Sequence, residues 1–123
     1  MAAVRYIVDD VDAAIAFYTT HLGFEVEMHP GPGFAALTRD DLRLLLNTPQ
    51  GPGGSTQAAT DGRASAPGGW NRIQLTVDDL DAAVASLRGA GVAFRTELAE
   101  GRGGKQILVD DPSGNCVELF EPR

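Results

Sequence analysis

The chain has 123 residues, enough for one compact unit or for two fused half-domains that share a core. Seventeen acidic against ten basic residues give a formal net charge of −7, and no two Lys or Arg are adjacent, which speaks against nucleic acid and anionic membrane as partners. The one cysteine, Cys116, cannot form an internal disulfide, and the reading expects neither a signal peptide nor a membrane-spanning helix, hence a cytoplasmic location.

Residues 3–8 alternate, with Val4, Tyr6 and Val8 on one side and Ala3, Arg5 and Ile7 on the other, which predicts a strand. Asp9 or Asp10 then caps a helix whose apolar positions Val11, Ala14, Ile15, Tyr18 and Leu22 follow three-four spacing, and Gly23 ends it. Residues 24–29 alternate again and "GPG" at 31–33 breaks the chain. Residues 34–38 and 42–48 read as two strands joined by the polar turn at 39–41. Residues 1–48 thus form a βαβββ module.

Residues 49–69 contain six glycines and three prolines with little to bury, and read as a linker or mobile loop. The pattern then restarts: a strand over 71–77, a helix from Asp79 to about Gly89, and strands over 92–98, 105–110 and 115–121. The last two strands flank "DPSGN", where Pro112 and Gly114 stand at the second and fourth places of a tight turn. Residues 70–123 therefore form a second βαβββ module.

The repetition is explicit in the residues. An offset of 69 superposes Asp9, Asp10, Asp12, Ala13 and Ala14 on Asp78, Asp79, Asp81, Ala82 and Ala83, and an offset of 73 superposes "LLLNTP" (44–49) on "VELFEP" (117–122). The acidic clusters "DDVD" and "DDLD" are explained by helix capping and the macrodipole rather than by a cation site.

Strand parity separates two faces. Ile73, Leu75 and Val77, with Val117 and Leu119, form the row that covers a helix. Arg72, Gln74 and Thr76, with Cys116, Glu118 and Phe120, lie opposite. In the first module Leu44 and Leu46 oppose Arg43, Leu45 and Asn47. A face holding Arg5, Ile7, Arg43, Leu45, Asn47, Arg72, Gln74, Cys116, Glu118 and Phe120 is costly if dry and closed, but suits a pocket in which a few polar groups fix a mostly apolar ligand. Its arginines point to a ligand with a carboxylate, phosphate or enolate-like oxygen.

The paired modules, "DDVDAAIAFY" at 9–18, "HLGF" at 21–24 and "DPSGNCVELFEP" at 111–122 resemble the vicinal oxygen chelate superfamily. That superfamily holds glyoxalase I, extradiol dioxygenases, fosfomycin-resistance thiol transferases and bleomycin-resistance binding proteins. The resemblance covers nearly the whole chain apart from 49–69. It implies an α+β protein whose two tandem modules form a cup-shaped mixed sheet with helices on the outer face, and a homodimer. In metal-dependent members one ligand stands on each of four strands. The motif spacing carries those positions to Ala3, Leu45, Arg72 and Glu118, of which Glu118 alone is a ligand type. His21, in the last helical turn, and His29, on the far strand of module one, do not complete the set. The expectation is no metal and no cofactor.

Arg72 and Glu118 then admit two readings: an anion-holding arginine with a general base, or a structural ion pair that takes the metal's place. Trp70 is either an aromatic wall for a planar ligand or a hydrophobic plug at a partner chain. Cys116 has no histidine beside it and reads as a small buried hydrophobe; Phe17 and Tyr18 read as packing; "GRGGK" at 101–105 lacks the Ser/Thr and helix of a phosphate loop and reads as a flexible hairpin. The functional expectation is a small-molecule binding protein whose pocket takes an apolar ligand with an anionic group. The alternative is a metal-independent isomerase or lyase with Glu118 as base and Arg72 or Arg5 as oxyanion partner, and the weakest is a metal-dependent glyoxalase or dioxygenase.

Overall fold

A computed structural model describes residues 2–51 and 57–123, and so leaves part of the linker reading over 49–69 outside the described residues. The chain divides into two compact units, 1–68 and 69–123. Both are built alike, and together they hold two helices and eight strands in two four-stranded mixed sheets, an α+β architecture.

In the first unit β1 (Ala2–Ile7), α1 (Val11–His21), β2 (Glu25–Gly31), β3 (Phe34–Arg39) and β4 (Leu42–Asn47) give the sheet order β1-β4-β3-β2. β1 and β4 are parallel and the other pairs antiparallel. α1 begins where Asp10 accepts a hydrogen bond from the Ala13 amide at 3.1 Å, and ends at Leu22, followed by Gly23 at φ +73°. Its inner face buries Val11, Ala14, Phe17 and Tyr18. Tyr18 is fully enclosed and meets Phe17 and Phe24 edge to face at 5.1 and 5.5 Å, so both aromatics of "FY" are core. Ala35, Leu37, Leu44 and Leu46 complete the interior. β2 is an edge strand, which is why Pro30 is tolerated within it, and it leaves Val26 and Met28 exposed.

In the second unit β5 (Ile73–Thr76), α2 (Leu80–Gly89), β6 (Ala99–Glu100), β7 (Gly104–Asp110) and β8 (Cys116–Pro122) repeat the order as β5-β8-β7-β6. Asp79 caps α2 by accepting from the Ala82 amide at 3.0 Å, and the Glu121 carboxylate accepts from the Leu80 amide at 2.8 Å. The doubled acidic clusters therefore serve helix starts. Asp79→Ala is expected to lower stability by about 1 kcal/mol, measured as a shift of the urea midpoint at unchanged m-value.

The predicted strand over 92–98 is not continuous. Phe94 makes a single bridge to Val109, the Arg95 and Thr96 amides both reach the Leu108 carbonyl, and Thr96 Oγ1 accepts from the Leu108 amide. Two amides on one carbonyl and a hydroxyl in place of a backbone acceptor break the ladder. Regular pairing is left to the two residues of β6. The predicted strand over 71–77 is likewise trimmed to Ile73–Thr76.

The turn at "DPSGN" forms as expected, with the Gly114 amide donating to the Asp111 carbonyl at 3.0 Å. The buried Asp111 carboxylate also accepts from the amides of Ser113 and Asn115, both at 2.9 Å, an Asx motif that fixes the start of β8.

Candidate functional site

The register of the second sheet decides which side chains meet. Gln74 stands opposite Glu118 across β5 and β8, and Leu108 and Gln106 stand opposite Glu118 and Phe120 across β7 and β8. Ile73, Leu75, Ile107, Val109, Val117 and Leu119 are buried on one face. The opposite face carries Arg72, Gln74, Glu118 and Phe120, the parity the sequence predicts.

Glu118 is the centre of that face. Its Oε1 accepts from Arg72 Nε and lies 3.0 Å from Arg72 Nη2, while its Oε2 accepts from Gln74 Nε2 at 2.5 Å. The Glu118 side chain is 8% exposed and that of Arg72 30%, so the carboxylate is the enclosed partner and the guanidinium the more solvent-exposed one. Arg72 Nη1 donates a long 3.4 Å bond to the Trp70 carbonyl, which leaves donors available to a ligand oxygen.

A second arginine, absent from the sequence-level site, organises the rim. Arg95 Nε donates to Asp110 Oδ1 at 2.8 Å, Nη1 to the Gly69 carbonyl at 2.6 Å and Nη2 to the Gly114 carbonyl at 2.9 Å. Its guanidinium lies 4.7 Å from the centre of the Trp70 ring. Trp70 is 64% exposed yet held, because Arg95 grips both its ring and the backbone before it. Asp110 on a strand beside an Arg-bearing segment is the one sequence signal for this hub. The other partners are carbonyl oxygens that no residue type reports.

Cys116 is fully buried, and burial raises its thiol pKa above the ordinary value against the smaller opposing effects of Arg95 and Arg72. A protonated, enclosed thiol is a poor nucleophile. Lys105 of the "GRGGK" stretch lies 3.3 Å from Asp81 and 4.0 Å from Glu121; the hydrogen bond with Asp81 raises its pKa, and its charge is engaged there instead of facing a phosphate.

In the first unit the five predicted residues share β1 and β4. Arg5 stands beside Leu45 and Ile7 beside Asn47, and Arg5 Nη1 donates to the buried Asn47 Oδ1. Arg43 Nη2 lies 2.6 Å from Glu27 on β2. Of the two histidines, His29 stands 3.6 Å from Asp12, and His21 stacks edge to face on Phe17 at 5.6 Å.

The four positions that metal-dependent relatives would use do not fit a divalent ion. Ala3 and Leu45 offer no donor, Arg72 brings a positive charge, and both oxygens of Glu118 already accept hydrogen bonds. An open catalytic zinc site takes about three protein ligands. Among the described residues no group of three His, Cys, Asp or Glu is placed to hold a metal ion.

The family model of the glyoxalase/bleomycin resistance protein/dioxygenase superfamily matches residues 1–119. The chain belongs to this superfamily. Solved structures agree in fold. An antibiotic-binding protein, TnmS3, from a Streptomyces species is 27% identical, with a TM-score of 0.71 over 98% of this chain and 93% of that one. A bleomycin-binding protein from Streptomyces verticillus, crystallised with copper(II)-bleomycin, is 25% identical, with a TM-score of 0.64 over 99% and 95%. A lactoylglutathione lyase from Agrobacterium tumefaciens is 24% identical, with a TM-score of 0.77 over 98% and 92%. No curated protein matches the chain significantly. Within the superfamily one scaffold carries binders and enzymes alike, so the function must be argued from the site.

Proposed function

We propose that this member of the superfamily binds a small organic molecule that is largely apolar and carries an anionic group, and that it does so without a resident metal. The arrangement around Glu118 carries the reading. The one carboxylate at a family ligand position is neutralised by Arg72 and hydrogen-bonded on its other oxygen by Gln74, so that the guanidinium stands where a metal cation would. Arg72 then presents its remaining donors outward to a ligand oxygen, beside the exposed indole of Trp70. Two similar structures at 25–27% identity are named for binding antibiotics, which supports a holding role over turnover. A general base at Glu118 is the weaker reading, because the Arg72 guanidinium and the Gln74 amide both stabilise the ionised carboxylate and so make it a weaker base. The reading also takes the protein to be a cytoplasmic homodimer, which light scattering on the purified protein checks for its oligomeric part.

Metal content is the direct test. Untagged protein incubated with manganese, iron, nickel and zinc and then desalted is expected to retain well under one metal per chain by mass spectrometry, while calorimetric titration with anionic, partly aromatic molecules yields binding that Arg72→Gln weakens about tenfold or more. A stoichiometric metal overturns the metal-free reading. Equal affinity in Arg72→Gln overturns the role of Arg72.

A further inference from the structure

The glycine-rich hairpin between β6 and β7 borders an open depression of about 260 Å³ in the second unit. One side is the backbone of Gly101, Gly103 and Gly104, and Phe120, Gln106, Glu100 and Ala99 complete the lining. Such a volume is below that of pockets that take whole drug-sized ligands, but above the roughly 150 Å³ that accommodates benzene.

From these features we infer that the depression is a subsite for one uncharged aromatic ring of the ligand, whose anionic end lies at Arg72. The inference rests on the anion-binding reading of Arg72 and names the class of molecule that the whole face takes. Three observations carry it. Phe120 offers an aromatic surface to an edge-to-face partner, and Gln106, its register partner, offers an amide donor and acceptor for a ring substituent. Glu100 is the charged residue of the lining, and a carboxylate there repels an acid, so the charged end of the ligand is directed elsewhere. Phe120 and Glu118 are two residues apart on one face of β8, a separation of about 7 Å, and Glu118 holds the Arg72 guanidinium. An aromatic ring joined to a carboxylate by a short flexible chain spans that distance; the class is an arylalkanoic acid or a larger molecule containing that unit.

The two hairpin glycines beside Phe120 differ in what they tolerate. Gly104 is required by the backbone, but a Cβ on Gly103 would meet nothing nearer than Phe120 Cζ at 4.0 Å, an ordinary contact. The chain path does not demand glycine at 103, and a side chain there would project toward the Phe120 ring.

The test uses 4-phenylbutyrate and butyrate as probes on the full, isotope-labelled chain, followed by amide chemical shifts and by calorimetry. The expected result is that 4-phenylbutyrate shifts the amides of residues 101–104 and the Gln106 side chain together with resonances around Arg72. Gly103→Val should weaken it at least tenfold while leaving the weaker butyrate binding unchanged. Phe120→Leu, which keeps an apolar lining without an aromatic ring, should weaken 4-phenylbutyrate less but measurably, and serves if Gly103→Val fails to fold. Shifts around Arg72 alone, with unaltered affinity in both variants, overturn the ring subsite and leave the anion reading standing. Shifts at the hairpin alone keep the ring subsite and overturn the anion reading. No shift with either probe at millimolar concentration overturns the proposal.

Discussion

Gly104→Ala is expected to destabilise the protein by about 3 kcal/mol or more, the largest effect of any glycine-to-alanine change in the second unit. Gly104 opens β7 at φ +152°, a backbone conformation that side chains of L-residues rarely adopt. An added Cβ would lie 2.1 Å from the Glu121 carbonyl oxygen and 3.0 Å from both the Glu121 carbonyl carbon and the Pro122 Cα. None of these is the end of a flexible side chain; all belong to the backbone of β8, with which Gly104 is in register. Relief therefore requires the two strands to part where the Glu121 carboxylate also holds the first amide of α2. Urea unfolding followed by circular dichroism measures the effect, with Gly103→Ala as the control one residue away. The control is expected to change stability by no more than about 0.5 kcal/mol. Equal losses in the two variants would show that the hairpin yields as a unit and that the close approach at Gly104 carries no special cost.

That contrast between adjacent glycines also marks what the residues announce and what they conceal. The two modules are legible because each is written in periodic terms: three-four spacing in α1 and α2, alternation in β5 and β8, and an aspartate at each helix start that the structure places at the cap. The pairing of Arg72 with Glu118 is legible too, since parity puts them on one face and register brings Gln74 alongside. The remainder depends on backbone atoms. Arg95 acts through the carbonyls of Gly69 and Gly114, and its own segment leaves the expected strand because Thr96 and two amides crowd Leu108. The depression beside Phe120 has glycine backbone for one side, so no side-chain pattern reports it. Sequence periodicity encodes which face a residue takes. It does not encode which carbonyl an arginine will find or where missing side chains leave room.

Arg72→Leu is expected to cost about 2–3 kcal/mol, and Glu118→Leu less. The order follows from burial. Removing Arg72 strands an enclosed carboxylate with Gln74 as its remaining recorded side-chain donor, whereas removing Glu118 frees a guanidinium that is already 30% exposed and can turn to water. The partial exposure of Arg72 places the first figure below the roughly 3–5 kcal/mol typical of breaking a wholly buried pair. The double variant Arg72→Leu/Glu118→Leu then decides how the pair works. With both charges gone no desolvation penalty remains, and a leucine at position 118, between Gln74 and Leu108, extends the apolar interior. Its stability should lie within about 1 kcal/mol of the parent, which makes the coupling between the two sites favourable by at least about 1–2 kcal/mol in a double-mutant cycle. A pair that can be replaced by leucines at so little cost is not retained for stability. If the double variant also loses affinity for anionic ligands, the charge at Arg72 is there to be met by a ligand, and Glu118 is there to hold it in place. If instead the losses simply add, each side chain is held by its other neighbours and the two charges do not act as a unit.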